Sequence, residues 1–303
     1  MTAADRPSTA RIWLLAIRPA TLPAAVSGVV VGLGAALAVD TPLRADAAIG
    51  CLAVALLLQI VANLSNDLSD FRKGADTPDR MGPIRVAAAG LVSERQLELA
   101  IGLTIGLAGI VGLWLTTIGG PVLLAIGLLA VVAALAYTGG PWPYGYRGLG
   151  ELFVFIFFGL VAVAGTAYLQ AGRLEPLFIA AAIPVGALTT AILVVNNLRD
   201  IPTDTLADKR TLAVILGARA TRIEYALLLA VAFLVPVALA LISRELMALL
   251  PLLTLPLASP LLRTVRSVTS PLQLNPVLKG TARLALTFGV LFGVGLAMSG
   301  VAA

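Results

Sequence analysis

Two short stretches share the pattern Asn-x-Leu-x-Asp, and each one ends a long apolar run. The first spans Asn66 to Asp70 and the second spans Asn196 to Asp200. In both, an amide and a carboxylate lie four residues apart, so a helix places them one turn apart on the same face. Amide and carboxylate oxygens are good ligands for hard divalent cations. The pattern therefore predicts that the two stretches face each other across one cavity and hold divalent metal.

The second stretch continues with further aspartates at the same spacing. Asp200, Asp204 and Asp208 follow one another at intervals of four residues, and they share a face if the helix continues through Pro202. Three like charges on one face repel each other unless a cation lies among them. A solvated loop with capping aspartates would explain one such residue. It does not explain two matched stretches at the ends of apolar helices, where polar groups are costly and tend to be functional.

Basic residues follow each acidic stretch. They are Lys73, Arg80 and Arg85 after the first stretch, and Lys209 and Arg210 after the second. One interpretation is simple anchoring at the membrane surface. Carboxylates mixed with Lys and Arg are also the usual setting for a phosphate group, with metal ions on one side and basic side chains on the other. This charge pattern predicts a diphosphate ligand.

Glycine, proline and aromatic residues are concentrated between Tyr137 and Glu151. Gly and Pro predict a tight turn in this segment rather than a helix. The aromatic side chains could form an interfacial belt, which is the interpretation that we favour for Trp142. For Tyr137 we favour a wall against a cationic intermediate or an aromatic acceptor. Arg18, directly before a proline, could be a surface anchor or a ligand for a carboxylate or a phosphate.

The composition indicates an integral membrane protein. Of the 303 residues, 59% are hydrophobic and only 12% are charged, whereas about a quarter of the residues of a soluble domain are charged. The absence of histidine excludes metal sites built on histidine and histidine general-base catalysis. The single cysteine, Cys51, excludes a disulfide framework. Carboxylates and amides remain as hard ligands, and these suit Mg²⁺.

Nine apolar runs are long enough to cross a bilayer, for which a helix needs about 20 residues. We therefore predict an all-α integral membrane protein with about nine transmembrane helices, forming a single domain over residues 1–303. The polar segments 68–95, 138–149 and 199–222 are predicted to cap one end of the bundle. The acidic stretches follow the second and the sixth helix, which fits two related halves. The runs are residues 20–39, 47–67, 96–116, 119–137, 150–171, 177–198, 223–242, 246–262 and 281–302.

The basic residues also predict the orientation in the membrane. The 21 Lys and Arg residues divide 18 to 3 between the two sides, and the side that is richer in these residues faces the cytoplasm. This places the N-terminus and both acidic stretches on the cytoplasmic side of the cell inner (plasma) membrane, and the C-terminus outside. The lipid bilayer is the expected macromolecular partner, and no nucleic acid is expected. The sequence leaves the oligomeric state open.

These motifs resemble those of the UbiA superfamily of membrane prenyltransferases, and the resemblance covers essentially the whole chain. Residues 66–70 (Asn-Asp-Leu-Ser-Asp) are similar to the first aspartate motif of the family, and residues 200–208 (Asp-x-x-x-Asp-x-x-x-Asp) to its second. The resemblance implies nine transmembrane helices around a central cavity that opens to the cytoplasm. Four stretches resemble the branch that acts on 1,4-dihydroxy-2-naphthoate, namely residues 18–22, 70–83, 137–151 and 197–212.

The resemblance implies an activity as well as a fold. It implies Mg²⁺-dependent transfer of a polyprenyl group from polyprenyl diphosphate to 1,4-dihydroxy-2-naphthoate. Carbon dioxide and diphosphate are lost, and demethylmenaquinol is formed for menaquinone biosynthesis. Another aromatic acceptor, 4-hydroxybenzoate or homogentisate, is the alternative within the family. A membrane transporter is the alternative outside it, although transporters place their polar groups near the midplane of the bilayer rather than at one face.

The resemblance and the charge pattern together assign roles to individual residues. The expected metal ligands are Asn66, Asp70, Asp76, Asn196, Asp200 and Asp204. Asp76 lies two residues beyond Gly74, the position where many family members have an aspartate. The expected ligands of the diphosphate or the acceptor are Lys73, Arg80, Arg85, Lys209, Arg210, Arg18 and Arg147. The expected catalytic residues are Tyr137, Asp67 and Asp208.

Overall fold

The computed structural model of the chain describes residues 7–75, 82 and 84–299, and its regular elements are all helical. A short 3-10 turn, Tyr144–Arg147, precedes the sixth helix. The sixth helix contains a wider π-helical segment, Phe155–Val161. The helices are α1 Thr9–Ile17, α2 Leu22–Leu37, α3 Ala45–Arg72, α4 Glu94–Gly119, α5 Val122–Ala136, α6 Gly150–Ala171, α7 Pro176–Leu206, α8 Leu212–Ser243, α9 Leu246–Ser267 and α10 Leu274–Met298.

The helices coincide with the apolar runs of the sequence. Within the described residues, 8 helical segments are long and apolar enough to cross a membrane, with α1 and α2 together forming the first of them. α5 is a shorter apolar helix. In a bilayer, backbone groups cannot bond to water, so a spanning run satisfies them within a helix. The predicted all-α fold is confirmed, and the protein is a multi-pass membrane protein.

Local sequence signals explain where several helices begin and end. Ser93 and Gln96 form a reciprocal capping box at the start of α4. α4 and α5 are joined at Gly120, whose φ of 81° favours glycine. α1 ends at Arg18, which adopts a left-handed conformation with φ of 55°, and the proline that follows cannot continue the helical hydrogen bonds. Arg18 is thereby held at a break between two helices rather than on a helix face.

α7 is the central helix of the bundle. It packs against α2, α6, α8 and α10, and most of its residues are buried. α2 and α10 also approach closely, because a Cβ atom at Gly34 would collide with the backbone of Gly293. The acidic stretches lie at the carboxyl ends of α3 and α7, which this packing brings to the same end of the bundle.

The polar segments at this end consist of the ends of long helices and the turns between them. Residues 199–206 continue α7 through Pro202, and residues 212–222 already belong to α8. α3 likewise continues to Arg72, and residues 86–92 form turns and bends. Backbone hydrogen bonding therefore extends the helices past the apolar runs, and it holds the polar residues on rigid elements.

Candidate active site

Lys209 connects the two acidic stretches at the end of the bundle. Its Nζ lies 4.0 Å from Oδ2 of Asp70 and 3.8 Å from Oδ1 of Asp204. All three side chains are largely buried. The structure thus brings together residues that are far apart in the sequence, and it places a cation between the two carboxylates. This ammonium group offsets the repulsion between two buried acids.

Asp70 receives hydrogen bonds from two further segments of the chain. Nη2 of Arg85 donates to its Oδ2 at 2.8 Å, and the hydroxyl of Tyr146 donates to its Oδ1 at 3.0 Å. Arg85 follows α3, whereas Tyr146 belongs to the turn before α6. Because Asp70 is only 1% exposed, these charge-assisted bonds fix the relative positions of the three segments.

Tyr146 provides an aromatic surface for two lysines. Nζ of Lys73 lies 4.6 Å from the centroid of its ring, and Nζ of Lys209 lies 5.2 Å from it. Lys73 also donates a hydrogen bond to the carbonyl oxygen of Thr138. Partial burial lowers the pKa of Lys73; Asp70 opposes this shift, and Lys209 adds to it. An anionic ligand beside this ring would offset the repulsion between the two ammonium groups.

Arg199 holds the second acidic stretch. Its Nε and Nη2 donate to the two oxygens of Asp200, both at 2.7 Å. Nη2 also donates to Oδ1 of Asn196 at 2.8 Å, and Nη1 donates to Oδ1 of Asn275 on α10 at 2.9 Å. The guanidinium is fully buried, with 1% of its side chain exposed. In the sequence, Arg199 is one of the 18 basic residues that the charge pattern assigns to the cytoplasmic side, and its spacing does not distinguish it from the other arginines.

Asp67 holds the segment after α3 in place. Its carboxylate accepts the backbone N–H groups of Val86 and Ala87 at 3.1 and 3.2 Å, and it lies 3.9 Å from Nη2 of Arg18. Asp67 is 1% exposed. These bonds position the turns that carry Arg85, so the geometry favours a positioning role over the catalytic role that was predicted for Asp67.

Replacing Asp67 by Ala should lower the Tm of the purified protein. The change leaves two buried backbone N–H groups without their acceptor, and each such group costs about 1–3 kcal/mol. Asp67→Asn keeps one acceptor oxygen and should lower the Tm less. Thermal unfolding in detergent measures both effects. An unchanged Tm together with a changed Mg²⁺ requirement would contradict the positioning role.

Asp208 and Arg210 lie outside the group that Asp70, Asp204 and Lys209 form. α7 ends at Leu206, and Asp208 follows it as an exposed residue with φ of 51°. The expected common face therefore extends to Asp200 and Asp204 but not to Asp208. Arg210 is also exposed. The chain leaves the helix before these positions, so helical spacing no longer determines where their side chains lie.

The remaining predicted residues occupy different surroundings. Oδ1 of Asn66 accepts a hydrogen bond from the hydroxyl of Thr138 at 3.0 Å, beside the Lys73 contact. Arg147 is exposed, and its guanidinium lies 5.2 Å from the ring centroid of Trp142. Asp76 and Arg80 lie outside the described residues, and the roles expected for them stay predictions.

Tyr137 lies between the acidic cluster and the start of α6. Its ring packs edge-on against Tyr144, with 5.4 Å between centroids. Burial raises the pKa of Tyr137 well above the ordinary value, the negative charge of Glu151 adds to this, and Tyr144, Asp204 and Asp70 act in the same direction. The phenol therefore stays protonated. It can form a wall or donate a hydrogen bond, but it cannot serve as a base.

The oxygen ligands of the two stretches fit Mg²⁺ that is bound together with a phosphate group. Among the residues that the structure describes, no three acidic side chains form a metal cage. Mg²⁺ does not need one, because it is usually held by one or two carboxylates plus phosphate oxygens and water. Asp70, Asp200 and Asp204 could supply such carboxylates, and the neighbouring asparagines could supply amide oxygens.

The sequence model of the UbiA prenyltransferase family matches residues 25–275, which include both acidic stretches and the turn before α6. The chain belongs to the UbiA prenyltransferase family. The resemblance that the motifs indicated is thereby confirmed.

Two bacterial relatives of this UbiA-family chain align with it over nearly their whole length. The chain is 42% identical over 278 residues to 1,4-dihydroxy-2-naphthoate octaprenyltransferase of Mycobacterium tuberculosis, an alignment that covers 92% of this chain and 94% of the relative. It is 38% identical over 301 residues to the Escherichia coli protein of the same name, with coverage of 96% and 97%.

Solved structures of UbiA homologues share the fold. The apo structure of a UbiA homologue from Aeropyrum pernix K1 matches with a TM-score of 0.64 at 18% identity, covering 89% of this chain and 96% of that one. A UbiA homologue from Archaeoglobus fulgidus bound to GPP and Mg²⁺ matches with a TM-score of 0.60 at 16% identity, covering 93% and 99%. The helical bundle is therefore the fold of the UbiA family.

Proposed function

We propose that this UbiA-family protein transfers a polyprenyl group from polyprenyl diphosphate to 1,4-dihydroxy-2-naphthoate, in menaquinone biosynthesis. The observation that carries the proposal is the convergence of both acidic stretches with Lys73, Arg85 and Lys209 at one end of the bundle. The nearly full-length relatives named 1,4-dihydroxy-2-naphthoate octaprenyltransferase support this choice of acceptor.

The cations of the site bind and orient the diphosphate. Lys73 and Lys209 approach the same aromatic ring, and Arg85 adds a guanidinium beside Asp70. When a diphosphate binds at this position, its oxygens would replace the carboxylates of Asp70 and Asp204 as partners of Lys209. Mg²⁺, when bound, neutralises charge on the departing diphosphate. The residues that would hold it are Asn66, Asp70, Asn196, Asp200 and Asp204, with Asp76 as a further candidate.

The aromatic residues of the turn protect the reacting allylic carbon. Tyr137 and Tyr144 form an edge-on pair next to the cluster, and Phe153 stacks on Tyr144 with 4.1 Å between ring centroids. The negative faces of aromatic rings stabilise positive charge and exclude water. This wall stabilises the allylic cation that forms as the carbon–oxygen bond to the diphosphate breaks.

The acceptor exchanges its carboxylate for the prenyl group. The electron pair of the allylic carbon–oxygen bond leaves with the diphosphate. The ring carbon that bears the carboxylate supplies the pair for the new carbon–carbon bond. The bond to the carboxylate then breaks, carbon dioxide leaves, and its electron pair restores the aromatic ring of demethylmenaquinol.

Acceptor competition with purified protein tests the proposed function. With Mg²⁺ and radiolabelled polyprenyl diphosphate, we expect a prenylated product from 1,4-dihydroxy-2-naphthoate and release of one labelled carbon dioxide for each prenyl group from carboxyl-labelled acceptor. Faster transfer to 4-hydroxybenzoate or homogentisate would contradict the choice of acceptor. Solute uptake by vesicles without any prenyl transfer would instead indicate a transporter.

The proposed orientation places the active site and the N-terminus in the cytoplasm and the C-terminus outside, in the inner membrane. A Cys51→Ser background removes the single native thiol. We expect Asp208→Cys in this background to react with a membrane-impermeant maleimide only in inside-out vesicles, because cytoplasmic groups face outward there. Asp40→Cys, at the other end of the bundle and also exposed, should react only in right-side-out vesicles. The reverse pattern would contradict the orientation.

A further inference from the structure

We propose that Glu151 is the catalytic acid and base on the acceptor side of the site, exchanging a proton with the ring hydroxyl next to the acceptor's carboxylate. The proposal deepens the proposed function and rests on it. No histidine is present in the chain to serve this purpose.

Glu151 is a buried acid, and one of its two carboxyl oxygens has no hydrogen-bond partner among the described residues. It lies in the first turn of α6 and is 6% exposed. Its Oε1 accepts a hydrogen bond from Nδ2 of Asn197 at 2.8 Å, which orients the carboxyl group. Among the described residues, its Oε2 is buried and has no hydrogen-bond partner. Because a buried acceptor without a donor costs free energy, an oxygen left in this way needs an explanation.

Glu151 is hydrogen-bonded to α7 about one helical turn before Asp200 and about two turns before Asp204. Asn197, its partner, is adjacent in α7 to Asn196 and one turn before Asp200. Tyr137 lies near both regions, since the negative charges of Glu151, Asp204 and Asp70 each raise the pKa of its phenol. A Cβ atom at Gly150 would also lie 3.5 Å from that hydroxyl. An aromatic acceptor between the allylic carbon and α6 would therefore reach Glu151.

Two other titratable groups act on the surroundings of Glu151. Tyr137 faces it from the end of α5, and Glu224 lies within its electrostatic reach on α8. Oε2 of Glu224 is likewise buried and lacks a hydrogen-bond partner within the described part of the chain.

A ring hydroxyl of the acceptor would donate the hydrogen bond that Oε2 of Glu151 lacks. Its hydroxyl on carbon 1 adjoins carbon 2, which bears the carboxylate. When carbon 2 attacks the allylic carbon, the hydroxyl proton passes to Glu151 and carbon 1 becomes a ketone. The resulting β-keto carboxylate loses carbon dioxide, and the electron pair returns to the oxygen on carbon 1. That oxygen takes the proton back from Glu151, so the residue ends the cycle unchanged and no further reactant is needed.

Glu151→Gln tests this role because it keeps the shape of the side chain but removes the base. We expect kcat to fall about 10²–10⁴-fold, the usual contribution of general acid–base catalysis, with the KM for polyprenyl diphosphate unchanged. Glu151→Asp should recover part of the rate. The matched control is Glu98→Gln, an exposed acid on α4, which should keep the wild-type rate.

The acidity of the acceptor separates catalysis from a structural role. A ring-fluorinated acceptor, whose hydroxyl is more acidic, should lose less rate in Glu151→Gln than the natural acceptor does, because it needs the base less. Wild-type kcat in Glu151→Gln, or an equal loss with both acceptors, would overturn the proposal. If Glu151→Gln does not fold, the rate losses with the natural and the fluorinated acceptor are compared in Glu151→Asp instead, and the same two outcomes apply. Failure of the proposed function looks different, since the wild-type protein itself would not prenylate the naphthoate.

Discussion

Asp70→Asn is expected to reduce prenyl transfer about 10²–10³-fold, as the loss of one group that stabilises charge in a preorganised site usually does. Asp70 meets Arg85, Tyr146 and Lys209, and it is one of the proposed Mg²⁺ ligands. An amide keeps the shape of the side chain but cannot balance two cations or bind the metal as strongly. Initial rates over a range of Mg²⁺ concentrations measure the loss, and the Mg²⁺ concentration for half-maximal rate should rise.

The matched control for this change is Asp40→Asn. Asp40 is exposed and adopts φ of 55°, a conformation that asparagine tolerates. The control should keep the wild-type rate and Mg²⁺ requirement. If Asp70→Asn behaved like Asp40→Asn, the assignment of Asp70 to the reaction site would be wrong.

Lys209→Gln is expected to raise the KM for polyprenyl diphosphate about 10- to 100-fold, since hydrogen bonds to charged groups contribute about 1.5–3 kcal/mol. Lys209 is the cation that lies between Asp70 and Asp204 and next to the Tyr146 ring. Its loss removes a partner of the diphosphate. It also leaves the buried carboxylates of Asp70 and Asp204 with less compensating positive charge. Steady-state rates at varied polyprenyl diphosphate concentration measure the effect.

An exposed lysine separates this effect from a change in net charge. Lys279 on α10 is exposed, and Lys279→Gln should leave the KM for polyprenyl diphosphate unchanged. The KM for 1,4-dihydroxy-2-naphthoate should change much less than that for the diphosphate in Lys209→Gln. A selective rise in the KM for the acceptor would instead place Lys209 at the acceptor's carboxylate.

The helices were predictable from the sequence because lipid leaves an apolar run almost no alternative to a helix. The capping box at Ser93 and the turn at Gly120 were equally local signals. The matched Asn-x-Leu-x-Asp stretches indicated two elements of one site, and in the structure Lys209 contacts Asp70 of the first stretch and Asp204, which follows the second. Helical periodicity predicted the positions of the aspartates only as far as Asp204, because α7 ends before Asp208.

The partners of individual side chains were not predictable in this way. Asp67 and Asp70 stand three residues apart in the same motif, yet one binds backbone N–H groups and the other binds Arg85 and Tyr146. Their surroundings depend on segments that are distant in the sequence and reach α3 only through the packing of the bundle. Arg199 was overlooked for the same reason, since its burial between α7 and α10 follows from tertiary structure alone.

Binding of a non-reactive polyprenyl thiodiphosphate with and without Mg²⁺ tests most directly whether both acidic stretches form one metal-dependent diphosphate site. The wild-type protein should bind this analogue much more tightly with Mg²⁺ than with a chelator. Asp70→Asn and Asp200→Asn should each lose most of this Mg²⁺-dependent gain, although their residues belong to different stretches. Equal affinity of the wild-type protein with Mg²⁺ and with the chelator, or a full Mg²⁺-dependent gain in both variants, would contradict the account.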